Sequence, residues 1–216
     1  MRTLQEKIAL FDSIDIYPVV SSEFCNNRDV VDVVYSIAEG GAKIVQIREK
    51  NQSDLAVYQL VKKCKTITDK YNMLLIVDDR LDIAMATGAD GVHLGQDDFP
   101  LSEAKKLAPT MLFGVSTHNK EEITQALKEE CGYLNIGPMF PTGTKSVPCG
   151  ALGLDIIEEL KQEVTCPFSI MGGIKAHHLP LLVEKGYRHI AMVTEITCAN
   201  NITQKVKELR QIMLKG

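Results

Sequence analysis

The sequence predicts a single (β/α)8 barrel, a TIM barrel, spanning residues 1–216, with an extra helix at its N-terminal end. Three observations lead there. Short β-branched or apolar runs alternate with helix-compatible stretches, the signature of parallel βαβ units. The runs number eight, the count of a closed barrel, and about 200 residues suffice for that many units. No Gly-x-Gly-x-x-Gly follows the first run, which argues against the rival open, doubly wound sheet.

Taken in order, "MRTLQEKIALFD" is mixed and amphipathic, a helix suited to cover the barrel floor. The first strand is "DIYPVVSS" (15–22). "DVVDVVYSIAEGG" follows with apolar residues at helical spacing and ends on glycine, a C-terminal helix signal. The second strand, "KIVQIRE" (43–49), leads to "SDLAVYQLVKKCKTITDKY", where Ser53 is placed to cap the helix N-terminus. Strands three to five are "LLIVDD" (74–79), "GVHLG" (91–95) and "LFGVST" (112–117). "NKEEITQALKEECG" is the next helix, before "YLNIG" (133–137), "PFSIMGG" (167–173) and "HIAMVTE" (189–195). There is no strict sequence repeat and no low-complexity linker that would split the chain.

Composition narrows the function classes. Hydrophobic content of 45% and charged content of 24% are those of a globular chain with a substantial core. A net charge of −4 argues against a general nucleic-acid or membrane surface, while leaving room for anionic small molecules bound by local charge. The six cysteines are scattered without a C-x-x-C pair, so they read as reduced thiols of a cytoplasmic protein. No signal-like segment or run of about 18 apolar residues is present.

In a barrel the carboxyl ends of the strands share the face that carries chemistry. Gln46, Arg48 and Lys50 alternate at the end of strand two and share one side if the strand continues. Asp78-Asp79-Arg80 follows strand three, Gly95-Gln96-Asp97-Asp98 strand four, and Ser116-Thr117-His118 strand five. Strand six leads into "GPMFPTGTKS" (137–146), whose hydroxyls, free amides and ammonium suit a phosphate. Gly172-Gly173 ends strand seven and Val193-Thr194 strand eight. Singly, each has a plainer meaning. An Asp-Asp pair makes an Asx turn or a cap, and Arg48 and Lys50 form surface ion pairs with Glu49 or Asp residues. His93 fills the core, and His177-His178 opens an exposed helix. Together they gather cations from strands two and six and carboxylates from three and four. Glycines and a hydroxyl come from seven and eight, where a helix N-terminus adds free N–H groups. Carboxylates beside cations at an anion site call for a metal between them. Mg2+ takes one or two carboxylates and completes its shell with water and phosphate oxygens. This predicts Mg2+ and a diphosphate at Asp79 and Asp98, and a second phosphate near strands seven and eight.

The motifs "QIREK", "DDRLDIAMATGADGVHLGQDD", "GVSTH", "GPMFPTGTK" and "MGGI…HIAMVTEI", in this order and spacing, resemble the thiamine phosphate synthase (thiamine phosphate pyrophosphorylase) family over nearly the whole chain. The resemblance implies a transferase that joins hydroxymethylpyrimidine diphosphate to hydroxyethylthiazole phosphate through a pyrimidine-methyl cation. It implies Gln46, Arg48, Lys50, Asp78, Ser116 and Lys145 at the pyrimidine diphosphate, with Arg48, Lys50, Ser116 and Lys145 assisting its departure. Asp79 and Asp98 would hold Mg2+. Thr142, Gly143, Thr144, Gly173, Val193 and Thr194 would hold the thiazole phosphate. The partners implied are these two small molecules, in a chain that could self-associate as a homo-oligomer. Two departures stand out: Asp78 replaces the usual Asn of the family, and Thr194 a common Ser. A carboxylate at 78 accepts hydrogen bonds but cannot donate to a diphosphate, so Mg2+, Arg80 or protonation must compensate it. The alternatives are the related thiazole tautomerase, an isomerase on the same barrel, and a non-catalytic thiazole-phosphate-binding barrel.

Overall fold

Eight parallel strands close on one another in chain order, β1 pairing with both β2 and β8. The computed structural model describes residues 2–144 and 150–215. Its elements are α1 (Leu4–Asp12), β1 (Ile16–Val20), α2 (Val30–Glu39), β2 (Ile44–Ile47), α3 (Asp54–Lys70) and β3 (Leu74–Asp78). They continue with α4 (Leu81–Thr87), β4 (Gly91–Leu94), α5 (Leu101–Leu107), β5 (Leu112–Thr117), α6 (Lys120–Lys128) and β6 (Tyr133–Ile136). The last are α7 (Gly153–Lys161), β7 (Phe168–Ile170), α8 (Leu179–Glu184), β8 (Ile190–Met192), α9 (Thr194–Thr197) and α10 (Ile202–Met213). All eight anticipated strands are present. Several are shorter than the apolar runs: β2 stops before Arg48, and β7 and β8 have three residues each.

Local chemistry sets the helix ends. Thr3 and Glu6 form a reciprocal capping box at α1, while Ser53 caps α3 and Asn119 caps α6 through their side chains. Each such cap stabilises a helix by about 1 kcal/mol. α2 ends at Gly40, and Gly41 turns the chain with φ +89°.

The core has two layers. Between strands and helices lies a continuous apolar shell that includes Val33, Ile37, Val61, Leu75, Val92, Ile123, Leu182 and Val206. Inside the barrel, Tyr17, Ile44, Leu74, Ile76, Leu112, Tyr133 and Ala191 pack together with Phe11 of α1. The first helix therefore floors the barrel: the fully buried Phe11 ring stacks on Tyr133 at 4.0 Å and meets Tyr17 edge-on at 5.9 Å. Burying each such side chain is worth about 1.5–3 kcal/mol, so a plug at the amino end leaves the carboxyl end free to open into a cleft. Cys25, Cys64, Cys131, Cys166 and Cys198 are free thiols, and burial pushes Cys25 up to about 11 and Cys64 up to about 12. Among the described residues no helix is long and apolar enough to cross a membrane.

Candidate active site

The cleft opens at the carboxyl ends of the strands, lined in part by Gln46, Arg48, Asp78, His93, Ser116, Asn135, Thr142, Thr144, Gly173, Lys175, Val193 and Thr194. Strand alternation puts Gln46, Asp78, His93 and Ser116 inside the barrel mouth, with Gln46, His93 and Ser116 buried. They are joined across the barrel by a hydrogen-bonded chain. Gln46 Nε2 donates to Tyr17 Oη (2.9 Å), and the hydroxyls of Tyr17 and Tyr133 meet at 2.7 Å. Tyr133 Oη lies 3.2 Å from His93 Nδ1, and His93 Nε2 lies 2.8 Å from Ser116 Oγ. Burial holds both phenols well above the ordinary tyrosine range, so each keeps a proton to donate. His93 is thus buried and hydrogen-bonded, as a core histidine should be, yet it also lines the cleft.

The β2–β4 side is crowded with charge. The Asp78 side chain, only 8% exposed, lies 3.4 Å from Arg48 Nε and 3.1 Å from Lys50 Nζ, and Lys50 also pairs with Asp79. Arg80, one compensator expected from the sequence, is used elsewhere: its guanidinium binds Asp82 at 3.0 and 2.7 Å and Asp54 at 2.7 Å. The strong preference of a guanidinium for a two-oxygen partner explains that choice, and the compensation of Asp78 falls to Arg48 and Lys50. Glu49 does not pair with these cations but accepts from the backbone and side chain of Ser22, each at 2.7 Å. Asp79 sits in the left-handed region (φ +58°), its N–H donating to His93 O at 2.9 Å. Asp98 accepts from Gly95 N–H at 2.6 Å in a tight turn after β4. Lys50, Asp79 and Asp98 stand outside the cleft lining proper. Among the described residues no group of three or more His, Cys, Asp or Glu is poised around a metal position. Asp79 and Asp98 each offer a hard carboxylate, the donor type that Mg2+ takes beside water and phosphate oxygens.

The β6–β8 side is built mainly from glycines, backbone amides and hydroxyls, with Lys175 beside them. After β6 the chain keeps pairing with the segment after β7: Met139 N–H donates to Met171 O (2.8 Å) and Phe140 N–H to Gly172 O (3.0 Å). This close approach requires Gly172 and Gly173. A Cβ on Gly172 would lie 2.3 Å from Pro138 Cβ, and one on Gly173 2.5 Å from Pro141 O, at φ +97° and +63°. Thr142 and Thr144 line the cleft, their hydroxyls 3.0 Å apart, whereas Gly143 between them is exposed and outside the lining. Space is open at its Cβ position, so packing does not account for a glycine there. Lys145 lies outside the described residues. Thr194 is half-buried and accepts from Lys175 Nζ at 3.0 Å rather than bonding only to backbone. His178 belongs to a 3-10 turn (Ala176–His178) and stacks on Phe140 at 4.0 Å, so of the anticipated exposed pair only His177 is exposed.

Sequence reasoning missed Tyr17, Tyr133, Asn135 and Lys175. For the first three a signal existed, a polar atom at an inward position of an apolar strand: Tyr133 and Asn135 alternate within "YLNI". Asn135 is buried and bonded to Ser169, while its carbonyl accepts from Thr117 Oγ1 at 3.3 Å.

Comparison with known proteins places the chain in a family. The profile of the family described as thiamine monophosphate synthase matches residues 16–196. A thiamine-phosphate synthase of Caldicellulosiruptor saccharolyticus is 38% identical, the match covering 97% of this chain and 95% of the relative. One from Dictyoglomus turgidum is 37% identical, covering 97% and 94%. Among solved structures, the thiamine phosphate pyrophosphorylase of Pyrococcus furiosus superposes with a TM-score of 0.87 at 30% identity, covering 95% of this chain and 98% of that one. Tryptophan synthase of Mycobacterium tuberculosis, at 9% identity and a TM-score of 0.71, shares the fold alone. These family relatives are synthases, and neither the tautomerase nor the non-catalytic alternative draws support from them.

Proposed function

The chain belongs to the thiamine monophosphate synthase family, and from that premise we propose that it joins a pyrimidine diphosphate to a thiazole phosphate, forming thiamine phosphate and releasing pyrophosphate. The observation that carries the reading is the division of one cleft into an end crowded with ion pairs at β2–β4 and a glycine- and hydroxyl-lined end at β6–β8. Two differently charged phosphate esters sharing one mouth fit that division.

In the proposed mechanism the C–O bond between the pyrimidine methylene and the diphosphate breaks first. The electron pair leaves with pyrophosphate, and the aminopyrimidine ring delocalises the positive charge. The thiazole nitrogen, which bears no proton, then attacks the methylene carbon, so no general base is needed. The protein's work is positioning and stabilising the departing charge. Gln46 and Ser116 hold the pyrimidine diphosphate from the floor, where Tyr17, Tyr133 and His93 fix their orientation. Arg48 and Lys50 exchange Asp78 for diphosphate oxygens, and Lys145 is assigned to the same leaving group. Asp79 and Asp98 would hold Mg2+, whose chemistry is to neutralise charge on the leaving pyrophosphate. Thr142, Gly143, Thr144, Gly173, Val193 and Thr194 hold the thiazole phosphate. The same reading makes these small phosphorylated molecules the partners, rather than nucleic acid, and puts the enzyme in the cytoplasm.

The test combines purified protein, Mg2+ and both substrates, and measures thiamine phosphate and pyrophosphate. Equal amounts of the two products are expected. Folded protein that yields neither overturns the reading.

A further inference from the structure

The residues assigned to the thiazole phosphate are all uncharged, yet a phosphate monoester carries close to two negative charges near neutral pH. Among the described cleft-lining residues, the lysines and arginines are Arg48 and Lys175. Arg48 is engaged by Asp78 on the opposite side. Lys175 reaches the phosphate end: its Nζ lies 3.0 Å from Thr194 Oγ1, two residues beyond Gly173 in the chain and 41% exposed along its side chain.

The surroundings hold Lys175 ready without consuming its charge. Its backbone N–H donates to His178 Nδ1 at 3.0 Å. Burial, aided by His177, keeps the His178 ring below the ordinary imidazole range, which suits an acceptor nitrogen. Through that ring, stacked on Phe140, Lys175 is tied to the loop that carries Thr142 and Thr144. Its acidic neighbour, Glu195, is 3.7 Å away, longer than a direct hydrogen bond, and Glu195 has a second cation in Lys205 at 3.6 Å. Lys175 can therefore turn to a phosphate oxygen while Lys205, shared with Glu208 at 3.7 Å, stays beside Glu195.

We infer that Lys175 is a substrate-binding residue, the cation that pairs with the thiazole phosphate beside Thr194 and makes this end of the cleft favour the phosphorylated thiazole over its free alcohol. The inference rests on the functional reading above. Its physical content is charge: a charged hydrogen bond to phosphate is stronger than the neutral ones around it.

The test uses the full-length chain with Lys175→Gln, which keeps a donor toward Thr194 but no charge, Lys175→Arg, which keeps the charge, and Lys175→Met, which keeps neither. Thermal melts establish that each variant is folded. The KM for thiazole phosphate should rise about ten- to hundredfold in the Gln and Met variants, the loss typical of a charged hydrogen bond, and largely recover in Arg. The KM for the pyrimidine diphosphate should move far less. Added salt should weaken thiazole-phosphate binding more in the wild type than in Lys175→Gln. A Gln variant that behaves like wild type while Met fails would mean that Lys175 only anchors the Thr194 hydroxyl, and the inference falls. It falls equally if all three variants match the wild type. A wild type that makes no product sinks the functional reading instead. Binding of inorganic phosphate by calorimetry then decides: weaker binding in Lys175→Gln supports the inference, and equal affinity overturns it.

Discussion

The two ends of the cleft are built on opposite principles. At β2–β4, Arg48, Lys50, Asp78 and Asp79 form a network of mutual ion pairs. At β6–β8, backbone amides, hydroxyls and positive-φ glycines are fixed by interstrand hydrogen bonds and close packing. At the first end a charged ligand would compete with the carboxylates that its cations already neutralise. The second is held by backbone hydrogen bonds and close packing. Mutual pairing lowers the cost of gathering charge at the first end, whereas at the second the hydroxyls bond to one another and to Lys175.

The contrast can be broken experimentally. The largest effect should come from the charged end: Asp79→Ala, Asp98→Ala or removal of Mg2+ by chelation should lower turnover by about two orders of magnitude or more. Thiazole-phosphate binding, read by calorimetry, should stay nearly unchanged. Equal loss of both would show that the two ends are not separable. Next, Gly173→Ala forces a side chain into φ +63° and against Pro141 O at 2.5 Å. It should destabilise the fold by about 3 kcal/mol in urea unfolding and raise the KM for thiazole phosphate. A neutral result would mean that the β6–β8 end is more pliable than its packing implies. Tyr133→Phe removes the hydroxyl between Tyr17 and His93 and should cost about 1–2 kcal/mol, with a higher KM for the diphosphate. Loss of stability with both KM values unmoved would reduce the buried chain to a structural device. The smallest effect is expected from Asp78→Asn, which frees Arg48 and Lys50 of one carboxylate. Turnover should be preserved or raised, with a lower diphosphate KM; a large drop would show that Asp78 has a task of its own.

Much of this division is visible in the residue order. Gln46, Arg48, Asp78, Asp79 and Ser116 each fall at or just past the end of an apolar run, and Thr142 in the loop after one, because a parallel barrel delivers every strand terminus to one face. His93 and Tyr133 illustrate the limit. Their inward positions follow from the two-residue period, but β4 and β6 are not neighbours in the sheet, and only closure of the barrel brings the two side chains to 3.2 Å. Arg80 illustrates another: its nearness in the chain suggested a compensator for Asp78, whereas Asp54 and Asp82 offer better geometry.

The sequence by itself determined the eight-unit rhythm, a helix suited to the barrel floor, and the polar type of residue at each strand end. These depend on hydrophobic period and local backbone preference, which short stretches of chain carry in full. The tertiary structure alone decided who pairs with whom: Asp78 with Arg48 and Lys50, Tyr17 with Tyr133 across the barrel, Lys175 with Thr194. Partner choice among charged and polar groups depends on distances between segments far apart in the chain and on the burial they share. Neither quantity exists until the barrel closes.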